Sequence, residues 1–275
     1  MRTHAARSKV RPAGVAGLFY PADPQRLRAE VQGLLAAPST SSIASPKALI
    51  APHAGYRYSG AVAGAAFATL SGVADAVRRV VLIGPAHYVA VRGIAVPTVK
   101  AFETPLGQVP VDQQALAGLA DLPFVIRNDA PHAPEHALEV ELPFLQAVLS
   151  SFSVVPLVVG DARPQAVAGV LRRLWGEQDT LVVVSSDLSH YLDSAAARRR
   201  DADTASAIER GDWDAIGPND ACGFLAVAGL LAEAGRRGLN ARRLALCNSG
   251  DTAGSPERVV GYGAWAFDHV APSPA

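Results

Sequence analysis

Short unbroken runs of Val, Ile, Leu and Ala recur along the chain, separated by stretches whose apolar residues fall three and four apart. Residues 47–52 (KALIAP), 79–85 (RVVLIGP), 153–159 (SVVPLVV) and 181–185 (LVVVS) lack an in–out alternation, as expected of strands covered on both faces. Residues 244–247 and 259–267 (VVGYGAWAF) extend the set, and 124–126 is a shorter member. Residues 93–99 carry Pro97, which predicts a sheet edge or a strand end. The intervening segments predict helices over 24–35, 61–70, 135–149, 164–175, 194–208 and 220–234. In the third of these Leu138, Leu142, Leu145 and Leu149 form one stripe, with Pro143 expected to kink it. The last has Asp220 as its expected N-cap, Arg236 and Arg237 near its end and Gly238 as its stop. Strands alternating with helices predict an α/β fold, a three-layer α/β/α sandwich with a mainly parallel or mixed central sheet.

With 275 residues and 49% hydrophobic side chains, the chain can fill one large core, and no linker or internal repeat divides it. A single domain over 1–275 is expected. Residues 1 to about 12 read as a loose tail, with 1–10 and 270–275 as flexible ends, and the Ser/Pro-rich 37–46 (APSTSSIASP) as a connection. Lys+Arg and Asp+Glu number 25 each, a balance that argues against nucleic acid as a partner. The run Arg198, Arg199, Arg200 is read as a solvated helix face. Two cysteines, Cys222 and Cys247, are too few for a disulfide framework and fit a reducing compartment. The polar, basic N-terminus has no apolar stretch of a signal peptide, and the longest apolar run, 224–232, is too short to span a bilayer. A cytoplasmic protein without a membrane partner is therefore expected.

Candidate chemistry lies in the seven histidines. His53 follows KALIAP, His87 follows VVLIGPA, and His190 follows LVVVSSDLS. Open α/β sheets bind ligands beyond the carboxyl ends of their strands. Three imidazoles at three such ends therefore point to a metal or acid–base site. His136, in the first turn of the 135–149 helix, either faces the same crevice or packs with Val140 and Phe144. The pair His132 and His136 has the spacing of a zinc-protease helix, but Ala133 replaces the glutamate that must follow the first histidine, and Pro134 keeps His132 out of the helix. Cys222, ahead of an apolar stretch, reads as a buried structural thiol. Gly55, Gly60 and Gly64 lack the spacing of a dinucleotide fingerprint, and no Walker loop or nucleophile elbow is present.

The ordered segments RPAGVAGLFYPADPQRL, APHAGYRYSG, IGPAHY, FETPLGQVPVD, EHALEVELPFL, SSDLSHY, NDACG, NSGDTAG and VVGYGAW resemble the Memo family (mediator of cell motility), whose bacterial members are also called AmmeMemoRadiSam system protein B. The resemblance runs from about Arg11 to Phe267. It implies a fold similar to LigB-type extradiol dioxygenases, in which two histidines and a carboxylate hold non-haem iron. Carried over, it implies His53 and His87 as metal ligands, His190 as acid–base residue with Asp187 beside it, and His136 as a further pocket histidine. The eukaryotic family members' cysteine ligand aligns with Thr252, a poor ligand, so Asp251 is expected as third ligand, then Cys247, then none. Iron or copper is the implied metal. The resemblance also implies AMMECR-type and radical SAM proteins as partners or, as in eukaryotic members, a phosphotyrosine peptide. Arg57 beside the pocket motif is a candidate for pairing with such a ligand's phosphate or carboxylate. A metal-dependent oxidoreductase, a non-catalytic accessory protein and a metal-assisted hydrolase remain the three readings.

Overall fold

The computed structural model describes residues 9–36 and 45–269. In chain order its elements are β1 (Val10–Arg11), α1 (Pro24–Leu35), β2 (Ala48–Ala51), α2 (Tyr56–Ala68), β3 (Arg79–Pro85), β4 (Ile94–Val96), β5 (Ala101–Thr104), β6 (Gly107–Pro110), α3 (Gln113–Ala117) and β7 (Val125–Arg127). Then follow α4 (Leu142–Val148), β8 (Ser153–Val159), α5 (Pro164–Leu174), β9 (Thr180–Ser185), β10 (His190–Leu192), α6 (Ser194–Arg210), α7 (Phe224–Arg236), β11 (Asn240–Asn248) and β12 (Val259–Asp268).

The uninterrupted Val/Ile/Leu runs become the middle of the large sheet, whose order is β10-β12-β2-β9-β3-β8-β4-β7, with β11 paired to β12. β2, β9, β3 and β8 run parallel, and their central residues are fully buried. β12 and β4 close this block antiparallel on either side, so the sheet is mixed. Helices cover both faces, which makes the chain the expected α/β sandwich. α2 packs on β2, β11 and β12 and carries α1 and α4, whereas α7 packs on β3 and β9 and carries α5. The α1–α2 contact depends on Gly64, where a Cβ would lie 2.4 Å from the Leu34 carbonyl oxygen. Among the described residues no helix is long and apolar enough to cross a membrane.

Several boundaries differ from the sequence reading. Residues 1–8, 37–44 and 270–275 lie outside the described residues, but Val10–Arg11 is not tail: it pairs with β5, and with β6 forms a second, three-stranded sheet that the turn-rich FETPLGQVPVD had concealed. The helix expected over 135–149 begins only at Leu142, after a 3-10 turn at Glu139–Glu141. Pro143 therefore sits in a first helical turn, where its missing N–H costs nothing, instead of kinking a longer helix. α7 is capped at Gly223, not Asp220, whose carboxylate instead accepts a hydrogen bond from Gly217 N. Pro97 follows β4 directly, a strand end; the sheet edge itself is β7.

The topology positions a site. β2, β9 and β3 are parallel neighbours, so their carboxyl ends share one edge. β12 starts at the same edge because it runs antiparallel to β2, and β10 pairs with that start through His190 and Val260.

Candidate metal centre

Two residues beyond β2, the backbone N–H of His53 donates to Asp187 Oδ1 (2.9 Å), and its ring Nδ1 lies 2.8 Å from Ser185 Oγ at the end of β9. Two residues beyond β3, His87 is gripped twice by Glu135: its N–H donates to Oε2 (2.7 Å) and its Nδ1 lies 2.8 Å from Oε1. His136, next to Glu135, stacks on His87 with ring centroids 4.8 Å apart and meets His53 edge-on at 5.3 Å. Phe19 backs its ring at 4.6 Å, and Tyr88 Oη lies 3.2 Å from its Nδ1. His53, His87 and His136 can each offer one ligand atom such that all three lie within 4.8 Å of one another. Cys222, just before α7, brings its Sγ to 3.4 Å from His53 Nε2. The next residue, Gly223, packs directly on Ser186, where a Cβ would meet Ser186 Cβ at 2.8 Å.

Electrostatics favours neutral imidazole here. Burial, then a charge on His87, holds His53 down to about 3. Burial, then His53, also holds His136 below its ordinary value. Neutral imidazole is the ligating form. Burial, then Asp187, pushes the Cys222 thiol up to about 12. Burial raises the Asp187 carboxyl, an effect that His190 opposes. His190 itself lies outside the three-histidine cluster, with Nδ1 2.8 Å from Leu188 O. The pairing of β10 with the start of β12 nonetheless brings it to the sheet edge beyond which His53 lies. His190 leads into a β-bulge at Tyr191, whose φ of 64° is the only positive value at a non-glycine among the described residues. Such bulges re-aim the neighbouring side chain.

The profile of the family described as Memo-like protein matches residues 11–266. The chain belongs to the Memo family. Similar proteins include MEMO1 family proteins of Thermotoga petrophila and Aquifex aeolicus, both 35% identical over 92% of this chain and over 98% and 97% of theirs. A MEMO1 family protein of Aeropyrum pernix is 34% identical over 92% of this chain and 98% of its own.

Of the residues that the sequence of this Memo-family chain singles out, the structure brings His53, His87 and His136 together, with Asp187 touching the first. It does not bring Asp251 to them. Asp251 closes a capping box on Asn248 N (3.0 Å), and its other oxygen pairs with Arg198. Thr252 Oγ1 donates to Ser249 O, and Cys247 lies in β11 opposite Tyr262, raised to about 11 by burial and then Asp251. Cys222 in NDACG, read as a buried structural thiol, is the cysteine that touches His53. His132 stands apart, with Nε2 3.0 Å from Ala95 O, as the rejection of a zinc-protease helix requires. Arg57 lies over the ring of Tyr58 at 4.4 Å. In the arginine run, Arg198 pairs with Asp251 and Arg200 with Asp220 on an exposed face. Sequence reasoning missed Glu135 and Ser185 altogether. An acid directly before a histidine was the one available signal for the former.

Proposed function

We propose that the chain is a metal-dependent redox protein in which His53, His87 and His136 hold one transition-metal ion, iron or copper. One observation carries the reading: three imidazoles converge, and the Nδ1 atoms of His53 and His87 are engaged by Ser185 and Glu135, which turns Nε2 of each toward an ion, with only the Cys222 thiol beside that of His53. Ligating histidines are characteristically oriented by such partners, so the donor set fits the group. Nitrogen donors with a thiol alongside suit a transition metal rather than magnesium or calcium. A bound redox metal would supply Lewis acidity and electron transfer. Around it, Glu135 orients His87, Phe19 and Tyr88 shield His136, and Cys222 stands ready as a fourth donor. His190, with Nδ1 turned to the Leu188 carbonyl, presents Nε2 as the group that takes or gives a proton, steadied by Asp187.

Anaerobic titration with Fe(II) and Cu(I), followed by calorimetry, tests the assignment. One ion per chain is expected, abolished by His53→Ala or His87→Ala. Glu135→Ala should weaken binding by about 10–100-fold, since it removes only the orienting partner. Failure of both metals to bind sinks the reading. Zinc at equal stoichiometry without oxygen consumption would make the chain a hydrolase instead.

A second reading draws on the mouth of the site. Leu18, Tyr88 and Tyr191 are three of four exposed large hydrophobics among the described residues, and each adjoins a site residue, Phe19, His87 or His190. Exposed apolar side chains beside site residues favour an accessory role with an AMMECR-type or radical SAM partner. Turnover by the isolated chain would reject it.

A further inference from the structure

Behind His53 lies a second layer that no ligand would touch. Glu141 is fully buried at the end of the 3-10 turn Glu139–Glu141. Its Oε1 lies 2.9 Å from Ser185 Oγ, and its Oε2 has no hydrogen-bond partner. The same Ser185 Oγ lies 2.7 Å from the carbonyl oxygen of Ala137 and 2.8 Å from His53 Nδ1. Three groups thus converge on one hydroxyl, which has a single proton to give and two lone pairs to receive.

The Ala137 carbonyl can only accept, so the serine proton belongs to it. Both lone pairs then remain for donors, which requires a proton on His53 Nδ1 and a proton on Glu141 Oε1. An ionised Glu141 would instead compete with Ala137 for the one serine proton and leave a buried acceptor unfilled. It would also place a charge where no cation meets it. Only the neutral acid satisfies all three contacts at once. Burial independently pushes the Glu141 carboxyl well above its ordinary value.

We propose that Glu141 and Ser185 are positioning residues for His53: Glu141, as a protonated acid, donates to Ser185, and Ser185 holds His53 as the Nδ1–H tautomer with Nε2 presented to the site. The arrangement looks like a charge relay but differs in kind, because the terminal carboxyl donates a proton instead of attracting one. Its purpose rests on the metal-site reading above, but its geometry does not.

The test uses the full-length chain without metal. Long-range ¹⁵N–¹H correlation of the histidine rings should show Nδ1 of His53 protonated and Nε2 bare at neutral pH. Isotope-edited infrared spectra should contain a carboxylic-acid C=O band that vanishes in Glu141→Gln. That variant keeps a donor to Ser185, so the His53 tautomer should persist. Glu141→Leu removes the donor and should partly release the tautomer, and Ser185→Ala should release it fully, with about 10–100-fold weaker metal binding. An Nε2–H tautomer in the native chain overturns the proposal, as does the absence of an acid band. Loss of the tautomer in Glu141→Gln would show a charged relay and overturn it equally. If Ser185→Ala fails to fold, the two Glu141 variants decide alone. A locked tautomer in a chain that binds no metal would sink the proposed function and leave this inference standing.

Discussion

Glu139 and Glu141 stand two residues apart in one 3-10 turn, both wholly buried, and meet opposite surroundings. Glu139 receives Arg11 Nη1 (2.5 Å), the backbone N–H groups of Gly14 and Val15 and the hydroxyl of Tyr20 (2.5 Å). Glu141 meets a single serine hydroxyl, at 2.9 Å from Oε1, and leaves its other oxygen with no partner. Burial alone therefore says little about what a carboxyl does; the donors aimed at it decide. Glu139 ties the N-terminal segment, and with it the Phe19 that backs His136, onto the body of the protein. Glu141 faces the sheet edge and the site.

Glu139→Ala should have the largest effect of any change in this turn. It strands the Arg11 guanidinium, 4% exposed, without its counter-charge. Removing one member of a buried ion pair costs about 3–5 kcal/mol, read as the loss of unfolding free energy in urea. A loss below about 1 kcal/mol would mean that the neighbouring carbonyls of His132 and Glu135, which also accept from Arg11, suffice. Tyr20→Phe is the milder cut. It deletes one hydrogen bond to a charged group and keeps the other donors, so about 1.5–3 kcal/mol is expected by the same measurement. Burial, then Glu139, raises the Tyr20 phenol, so the hydroxyl remains a donor throughout the neutral range.

The same turn marks where sequence reasoning succeeds and where it stops. The buried strands were legible because an unbroken run such as RVVLIGP cannot alternate sides and must be covered twice. His53 and His87 were legible because parallel strands end on one edge, whatever the helices do. Asp251 was misread because its partner, Arg198, lies 53 positions away, and no local pattern shows that an acid is already spoken for. Glu135 was overlooked for the same reason, since its grip on His87 spans 48 positions. Cys222 was assigned by the apolar stretch that follows it, a true guide to burial and none to its neighbour across the sheet edge. The leucine stripe from 138 to 149 suggested one helix because Leu138 shares its apolar face. Residues 137–141 instead turn more tightly, which sends Glu139 one way and Glu141 the other.

Glu141→Leu should produce the smallest change at acid pH and the most telling one, because its sign depends on pH. The Glu141 carboxyl is raised in the folded chain above its ordinary 4.5. Between those two values the folded chain keeps a proton that the unfolded chain releases. Its stabilising contribution is thus complete below about 4.5 and declines as pH rises toward the folded value, by up to about 1.4 kcal/mol per pH unit. The leucine variant has no such slope. At pH 4 it should be the less stable by about 1 kcal/mol, the worth of one neutral hydrogen bond. By pH 7 it should match or exceed the native chain, since an apolar side chain then replaces an acid held protonated against its own tendency to ionise. Other titrating groups are common to both chains, so their contributions cancel to first order in the difference. Urea unfolding of the two proteins at several pH values gives that difference directly. A native chain that gains on the variant between pH 4 and 7 would mean that Glu141 is ionised when folded, and the contrast with Glu139 would collapse into two carboxylates of one kind.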